Sequence, residues 1–146
     1  MKLYTIGFTQ KSAERFFSLL RENGVKRLVD IRLHPGGQLA GFAKQDDLRY
    51  FLRELADCDY VHMPELAPTD DVLSTYRSDK KWPKYVERFE ALMDERGIPQ
   101  SIDLSSFEQT PSCLLCSEHT ADKCHRRLVA ERIAANVDGV EIVHLG

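Results

Sequence analysis

The sequence lacks any run of about 20 apolar residues, the length that a helix needs to cross a bilayer. The apolar stretch at its start, residues 3–6, ends at a glycine and is too short for the core of a signal peptide. We therefore expect a cytoplasmic protein that has no membrane partner. Internal repeats, low-complexity tracts and linker-like stretches are also missing, so the 146 residues predict a single domain over 1–146.

The chain also has little excess charge of either sign. Its 20 Lys and Arg residues face 23 Asp and Glu residues, for a formal net charge of -3. A general field that attracts nucleic acid is therefore excluded, and any binding to a polyanion needs a local basic patch. The composition, 42% hydrophobic and 29% charged, is typical of a folded protein and excludes a disordered chain.

The placement of cysteine along the chain is uneven. Of the four cysteines, Cys113, Cys116 and Cys124 lie within one short segment. In the cytoplasm these thiols stay reduced, so the cluster indicates metal binding or thiol chemistry rather than disulfide bonds. Cys58 stands apart from the others, and we expect it to be a small apolar core residue.

Apolar runs that read as strands alternate with helical patterns along the chain. The predicted strands cover residues 3–6, 28–31, 60–62, 112–116 and 140–144. The predicted helices follow Ser12 as N-cap, begin near Asp46 or Asp47, cover residues 72–77, run from Pro83 to Gly97, and cover residues 124–137. This alternation predicts an α/β fold of Rossmann-like, three-layer character, with a mostly parallel sheet of about five strands.

Polar and reactive residues follow several of the predicted strands. Parallel sheets bind ligands beyond the carboxyl ends of their strands, so these residues are expected to share one rim. The substrate-binding candidates at this rim are Gly7, Thr9, Asp30, Arg32, Glu65 and Arg126. Two alternatives stay open. Loops are polar in any protein, so these residues need not form a binding site, and Asp30 and Arg32 suit a structural ion pair.

The segment from Cys116 to Arg126 carries the most specific chemistry. Cys116 ends a predicted strand and Cys124 opens a helix, where the positive helix terminus and neighbouring cations lower the pKa of a thiol. On this interpretation Cys116 or Cys124 is a nucleophile or redox thiol and His125 is a general acid or base. Glu118 completes the catalytic candidates, and Arg126 anchors an anion.

The same segment suits a metal ion. Cys116, Cys124 and His125 are ligands that zinc and iron accept. Cys113 supplies a fourth ligand at an acceptable spacing, but an odd offset within a strand points Cys113 and Cys116 to opposite faces. If Glu118 replaced Cys113, the site would be open and catalytic. A third interpretation leaves the cysteines as core residues while His125 and Arg126 only cap the helix.

A basic stretch with aromatic residues precedes the cysteine segment. It contains Arg77, Lys80, Lys81, Trp82, Lys84 and Tyr85. Cations and aromatic rings in combination contact phosphates and stack on bases. The stretch is therefore either a lid that recruits a nucleotide or nucleic acid, or a solvated entrance to a helix.

Several short motifs occur in order along nearly the whole chain. They lie at residues 5–7, at residues 29–32 with Pro35, at residues 60–66, and at residues 114–118 with residues 124–126. In these motifs the chain resembles a widespread prokaryotic family catalogued as domain of unknown function 488. The resemblance implies an α/β domain with Rossmann-like character, without an established reaction. It also implies Cys116, Cys124 and His125 as the soft ligands of a metal site, since Cys113 is not part of the pattern.

Two positions depart from the family pattern. Phe8 stands where members usually have histidine, and Ala67 stands where they usually have glycine.

The leading hypothesis is a small enzyme acting on an anionic substrate, a nucleotide or nucleic acid among the candidates. Its rival is a non-enzymatic module that binds metal or nucleic acid through the same Cys/His cluster. The sequence assigns no oligomeric state.

Overall fold

The structure is a computed structural model that describes residues 1–37 and 41–146. Within this part of the chain one five-stranded sheet forms, in the order β3-β2-β4-β1-β5, and every neighbouring pair is parallel. The strands are β1 (Lys2–Gly7), β2 (Arg27–Asp30), β3 (Asp59–His62), β4 (Ser112–Cys116) and β5 (Glu141–Leu145). The predicted α/β fold is confirmed, whereas the single domain over 1–146 stays a prediction.

Helices occupy the segments between the strands. They are α1 (Ala13–Glu22), α2 (Gln45–Ala56), α3 (Asp70–Asp79), α4 (Trp82–Glu95), α5 (Leu104–Gln109) and α6 (His125–Asn136). Short 3₁₀ helices lie at Pro35–Gly37, Gly41–Ala43 and Pro64–Leu66. None of the helices in the described ranges is long and apolar enough to cross a membrane.

Local chemistry explains where α1 and α6 begin. The Ser12 hydroxyl accepts a hydrogen bond from the Arg15 amide at 3.0 Å, which confirms the predicted N-cap. Helix α6 begins one residue later than predicted, at His125, because Cys124 has extended backbone angles and serves as its N-cap. The Cys124 side chain makes no capping hydrogen bond, so its sulfur faces other partners.

The two faces of the sheet bury separate clusters of apolar side chains. Helices α1 and α2 supply Phe16, Leu20, Leu48 and Leu52 to one cluster, and helices α4 and α6 supply Phe89, Met93, Val129 and Ile133 to the other. Strand β4 alternates between them, with Cys113 and Leu115 in the first and Leu114 in the second. Cys113 thus lies in the core beneath α1 and α2.

The strand order determines where the loops at the carboxyl ends meet. Strand β4 lies between β2 and β1, so Gly7 pairs with Cys116 and Asp30 pairs with Leu115. The chain reaches this central position only after leaving the edge strand β3, which makes a switch in strand order at β4. Such a switch opens a crevice beyond the strand ends, and the loop after Cys116 begins there.

Candidate functional site

A cavity of about 200 Å³ opens beyond the carboxyl end of β4. Cys116, Cys124 and His125 line it from β4 and the start of α6, and other lining residues come from α3, α4 and the loop after β2. All three side chains are buried, with exposed fractions of 6%, 3% and 7%. The crevice predicted from the sequence therefore holds the cysteine segment.

His125 and Cys116 form a close pair in this cavity. The His125 Nδ1 atom lies 3.3 Å from the Cys116 sulfur, and its Nε2 atom lies 2.8 Å from the carbonyl oxygen of Ile31. Because a carbonyl only accepts hydrogen bonds, Nε2 carries a proton, and in the neutral ring Nδ1 is the free acceptor. This arrangement lets Nδ1 take the proton of the Cys116 thiol.

Hydrogen bonds to its sulfur lower the pKa of Cys116. The largest contribution is the hydrogen bond from the Cys124 thiol, and the backbone amides of Ser117 and Glu118 and the charge of Arg126 act in the same direction. Burial opposes them by disfavouring the thiolate. The loop after β4 thus surrounds one sulfur atom with donors.

The other three thiols have raised pKa values. Burial and the hydrogen bond with Cys116 raise the pKa of Cys124 well above its ordinary value. Burial also raises the pKa of Cys113 and takes that of Cys58 to about 12. This differs from the expectation that the helix terminus and the neighbouring cations lower the pKa of Cys124, because Cys124 is buried and its thiol is hydrogen-bonded to Cys116.

The Cys/His cluster also suits a metal ion. The ligand atoms of Cys116, Cys124 and His125 all lie within 4.8 Å of one another. A histidine that donates its second ring nitrogen to a carbonyl, as His125 does to Ile31, is typical of metal ligands. Cys113 belongs to the opposite core cluster, so the four-ligand site weighed from the sequence does not form among the described residues.

Arg126 lies behind the loop, outside the cavity lining. Only 1% of the residue is exposed, and its guanidinium donates to the Thr5 hydroxyl and to the carbonyl oxygens of Glu118 and His119, at 3.2, 2.6 and 3.4 Å. Its described contacts therefore hold the loop after β4 in place. Arg126 is not among the residues that line the cavity, so this geometry does not support its predicted role as an anion anchor.

Gly7 and Thr9 also hold this loop. A β-carbon on Gly7 would stand 1.6 Å from the Glu118 carbonyl oxygen, so only glycine allows the loop to approach β1 so closely. The amide and the hydroxyl of Thr9 both donate to the Ser117 carbonyl oxygen, at 3.2 and 2.8 Å. Glu65 is exposed on the Pro64–Leu66 turn, away from the cavity lining.

Asp30 and Arg32 form a fully buried ion pair. The Arg32 Nε and Nη2 atoms donate to the two oxygens of Asp30 at 2.9 and 2.8 Å, and the Tyr60 hydroxyl donates to the same carboxylate. Arg32 also lines the cavity. Its third nitrogen, Nη1, is buried and finds no hydrogen-bond partner within residues 1–37 and 41–146.

Part of the basic stretch and an aromatic cluster form the cavity wall. Arg77, Lys80 and Trp82 line it, as does Lys123 from the loop before α6. The Trp82 ring lies 5.7 Å from that of Tyr76 and stacks on that of Tyr85 at 5.3 Å. Lys123 and Tyr76 were not among the candidates predicted from the sequence, although each lies next to a segment that was, and a cation or an aromatic ring there is a signal for the same cavity.

The cavity wall is strongly cationic. Arg77, Lys80 and Lys123 form no ion pair in the part of the chain that the structure describes, and Glu118 is the acidic residue that lines the same space. An anion entering this space therefore meets uncompensated positive charge.

Comparison with known families and proteins identifies the family of the chain. The model of the family described as domain of unknown function DUF488 matches residues 12–133 of the 146, a stretch that includes the loop after β4 and the start of α6. No curated protein and no solved structure matches the chain.

Proposed function

We propose that this chain, which belongs to the family of domain of unknown function DUF488, is a small thiol-dependent enzyme that acts on an anionic substrate. The observation that carries the proposal is the contact of 3.3 Å between the Cys116 sulfur and His125 Nδ1. A cysteine and a histidine in this geometry are the two parts that thiol nucleophiles require. We also propose a cytoplasmic setting, in which the thiol stays reduced.

The proposed chemistry begins with a proton transfer from Cys116 to His125. The Ile31 carbonyl then stabilises the protonated ring through Nε2–H, while the amides of Ser117 and Glu118 stabilise the thiolate. The Cys116 sulfur forms a bond to the electrophilic atom of the substrate. As the bond between this atom and the leaving group breaks, His125 gives its proton to the leaving group.

The cavity wall supports an anionic substrate that carries a flat ring. Arg77, Lys80 and Lys123 supply positive charge, and the half-buried Trp82 adds an aromatic ring to the cavity lining. A nucleotide combines these two properties, and the end of a nucleic-acid strand presents the same groups. Glu118, exposed at the cavity edge, is the proposed second acid–base group.

A second candidate function is metal binding, favoured by the mutual distances of at most 4.8 Å in the Cys/His cluster. Zinc or iron held by Cys116, Cys124 and His125 would have three protein ligands and an open position towards the cavity. In that case the chain is a metal-dependent enzyme or a non-enzymatic metal-binding module.

One experiment separates the two candidates. Protein purified without a chelating tag is analysed for zinc and iron, and the rate of iodoacetate labelling at each cysteine is mapped before and after chelation. The thiol enzyme predicts metal-free protein in which Cys116 is labelled first, and His125→Gln slows this labelling about tenfold or more. His144→Gln serves as the control, because His144 lies on β5 and bonds Thr5.

Stoichiometric metal whose removal exposes both Cys116 and Cys124 would establish the metal site instead. Metal-free protein in which Cys116 reacts no faster than Cys58 would reject the thiol enzyme.

A further inference from the structure

A second thiol lies beside the proposed nucleophile. The sulfurs of Cys116 and Cys124 lie within 4.8 Å of each other, and both line the cavity. The remaining cysteines, Cys58 and Cys113, belong to the core cluster on the other face of the sheet. The four cysteines therefore divide into one pair at the cavity and two core residues.

The backbone places this pair at two structural boundaries. Cys116 is the last residue of β4, and Cys124 is the N-cap of α6 with extended backbone angles. The Cys124 side chain makes no capping hydrogen bond, so its rotation breaks no such bond to the start of α6. A disulfide needs a sulfur–sulfur distance of about 2.05 Å, so the two sulfurs have to move at most about 2.8 Å closer for the bond to form.

His125 serves both sulfurs. One of its ring nitrogens lies within 4.8 Å of the sulfur of either cysteine. One base can therefore accept the proton of Cys116 in a first step and that of Cys124 in a second. The Ile31 carbonyl keeps the ring in place throughout, since it binds Nε2 at 2.8 Å.

We propose that Cys124 is the resolving thiol of Cys116, and that the pair converts from dithiol to disulfide when a small anionic disulfide enters the cavity. The proposal rests on the reactivity of Cys116 in the proposed function. It adds to the substrate proposed above a second reactant, a disulfide of the form R–S–S–R with carboxylate groups on R, which Arg77, Lys80 and Lys123 attract through their positive charge.

The reaction balances in two steps. The Cys116 thiolate attacks one sulfur of R–S–S–R, forms a mixed disulfide and releases R–S⁻, which takes up the first thiol proton. The Cys124 sulfur, its proton passed to His125, then attacks the Cys116 sulfur, and the second R–S⁻ leaves with that proton. Two electrons pass from the two thiols to the external disulfide, which is reduced to two R–SH.

The test uses the aromatic dicarboxylate dithiobis(nitrobenzoate), whose released thiolate is coloured. The full chain, pretreated with chelator, is expected to release two thiolates per chain in its fast phase and to retain no label. Peptide mapping should then find Cys116 joined to Cys124. The Cys124→Ser variant should release one thiolate and keep the label on Cys116, whereas Cys58→Ser should behave as the unmodified chain.

Each outcome decides a separate claim. A stable label on Cys116 of the unmodified chain overturns the resolving role and leaves the proposed nucleophile intact. Separate labels on Cys116 and Cys124 overturn it as well. If Cys116 takes part in no fast release, the proposed function itself fails. Mapping of the unmodified chain tests the resolving role even where Cys124→Ser does not fold, and Cys124→Ala provides a second variant.

Discussion

The carbonyl oxygen of Glu118 occupies the space that a β-carbon on Gly7 would need, 1.6 Å from its ideal position. The same oxygen accepts a hydrogen bond from Arg126 at 2.6 Å. Strand β1, the loop after β4 and helix α6 therefore meet at one carbonyl group. This contact places the amides of Ser117 and Glu118 around the Cys116 sulfur.

Gly7→Ala is expected to push the loop away from β1. Overpacking of this kind costs roughly 1–3 kcal/mol in the free energy of unfolding, which urea titration measures. Labelling of Cys116 should slow at the same time, because the donors around its sulfur move. Gly36→Ala is the matched control, since an added β-carbon there meets no atom of the described residues within 4 Å, its chain neighbours apart. Equal stability of the two variants would contradict the close packing.

Arg32→Ala is expected to destabilise the fold by roughly 3–5 kcal/mol, because it leaves the fully buried Asp30 carboxylate without its partner. Arg53→Ala is the comparison, since Arg53 and Glu54 form an exposed pair whose loss costs about 1 kcal/mol or less. Urea titrations of both variants check the difference. A similar cost at the two positions would show that the Asp30–Arg32 pair does not stabilise the fold as its burial implies.

The cationic wall should favour negatively charged reagents. Lys123→Glu is expected to slow labelling of Cys116 by iodoacetate several-fold and to leave labelling by the neutral iodoacetamide nearly unchanged. In the unmodified chain, a higher salt concentration should likewise slow labelling by iodoacetate relative to iodoacetamide, because ions screen the attraction. Lys2→Glu, at the start of β1, controls for net charge. If Lys123→Glu slows labelling by both reagents equally, the substitution has disturbed the structure and the charge of the cavity wall is not the cause.

Stability should fall at alkaline pH through Cys58. Burial, aided by Asp59, raises the pKa of this thiol to about 12, whereas an unperturbed thiol ionises near 9.0. The folded state thus keeps a proton that the unfolded chain releases, so the contribution to stability is complete below pH 9 and is lost as the pH rises towards 12.

Urea titrations at pH 8 and at more alkaline values measure this loss. Cys58→Ala should lose less stability over the same interval, because the titrating group is gone. An identical decline in the variant would assign the effect to other groups.

Much of the fold could be predicted because its signals are local. The apolar run at residues 112–116 predicted β4 with its observed bounds, and Ser12 predicted the start of α1. The odd offset between Cys113 and Cys116 predicted their opposite faces, since side chains alternate along a strand. The gathering of Cys116, Cys124 and His125 followed from their short separation in sequence.

By itself, then, the sequence determined the α/β alternation and the gathering of Cys116, Cys124 and His125, because both depend on neighbours along the chain. Only the tertiary structure decided their roles. The Ile31 carbonyl orients His125 from 94 residues away, and Thr5 holds Arg126 from 121 residues away. These contacts depend on the order β3-β2-β4-β1-β5, which brings β1 and β2 to either side of β4. No local pattern specifies that order, since it results from packing the whole sheet between its helices.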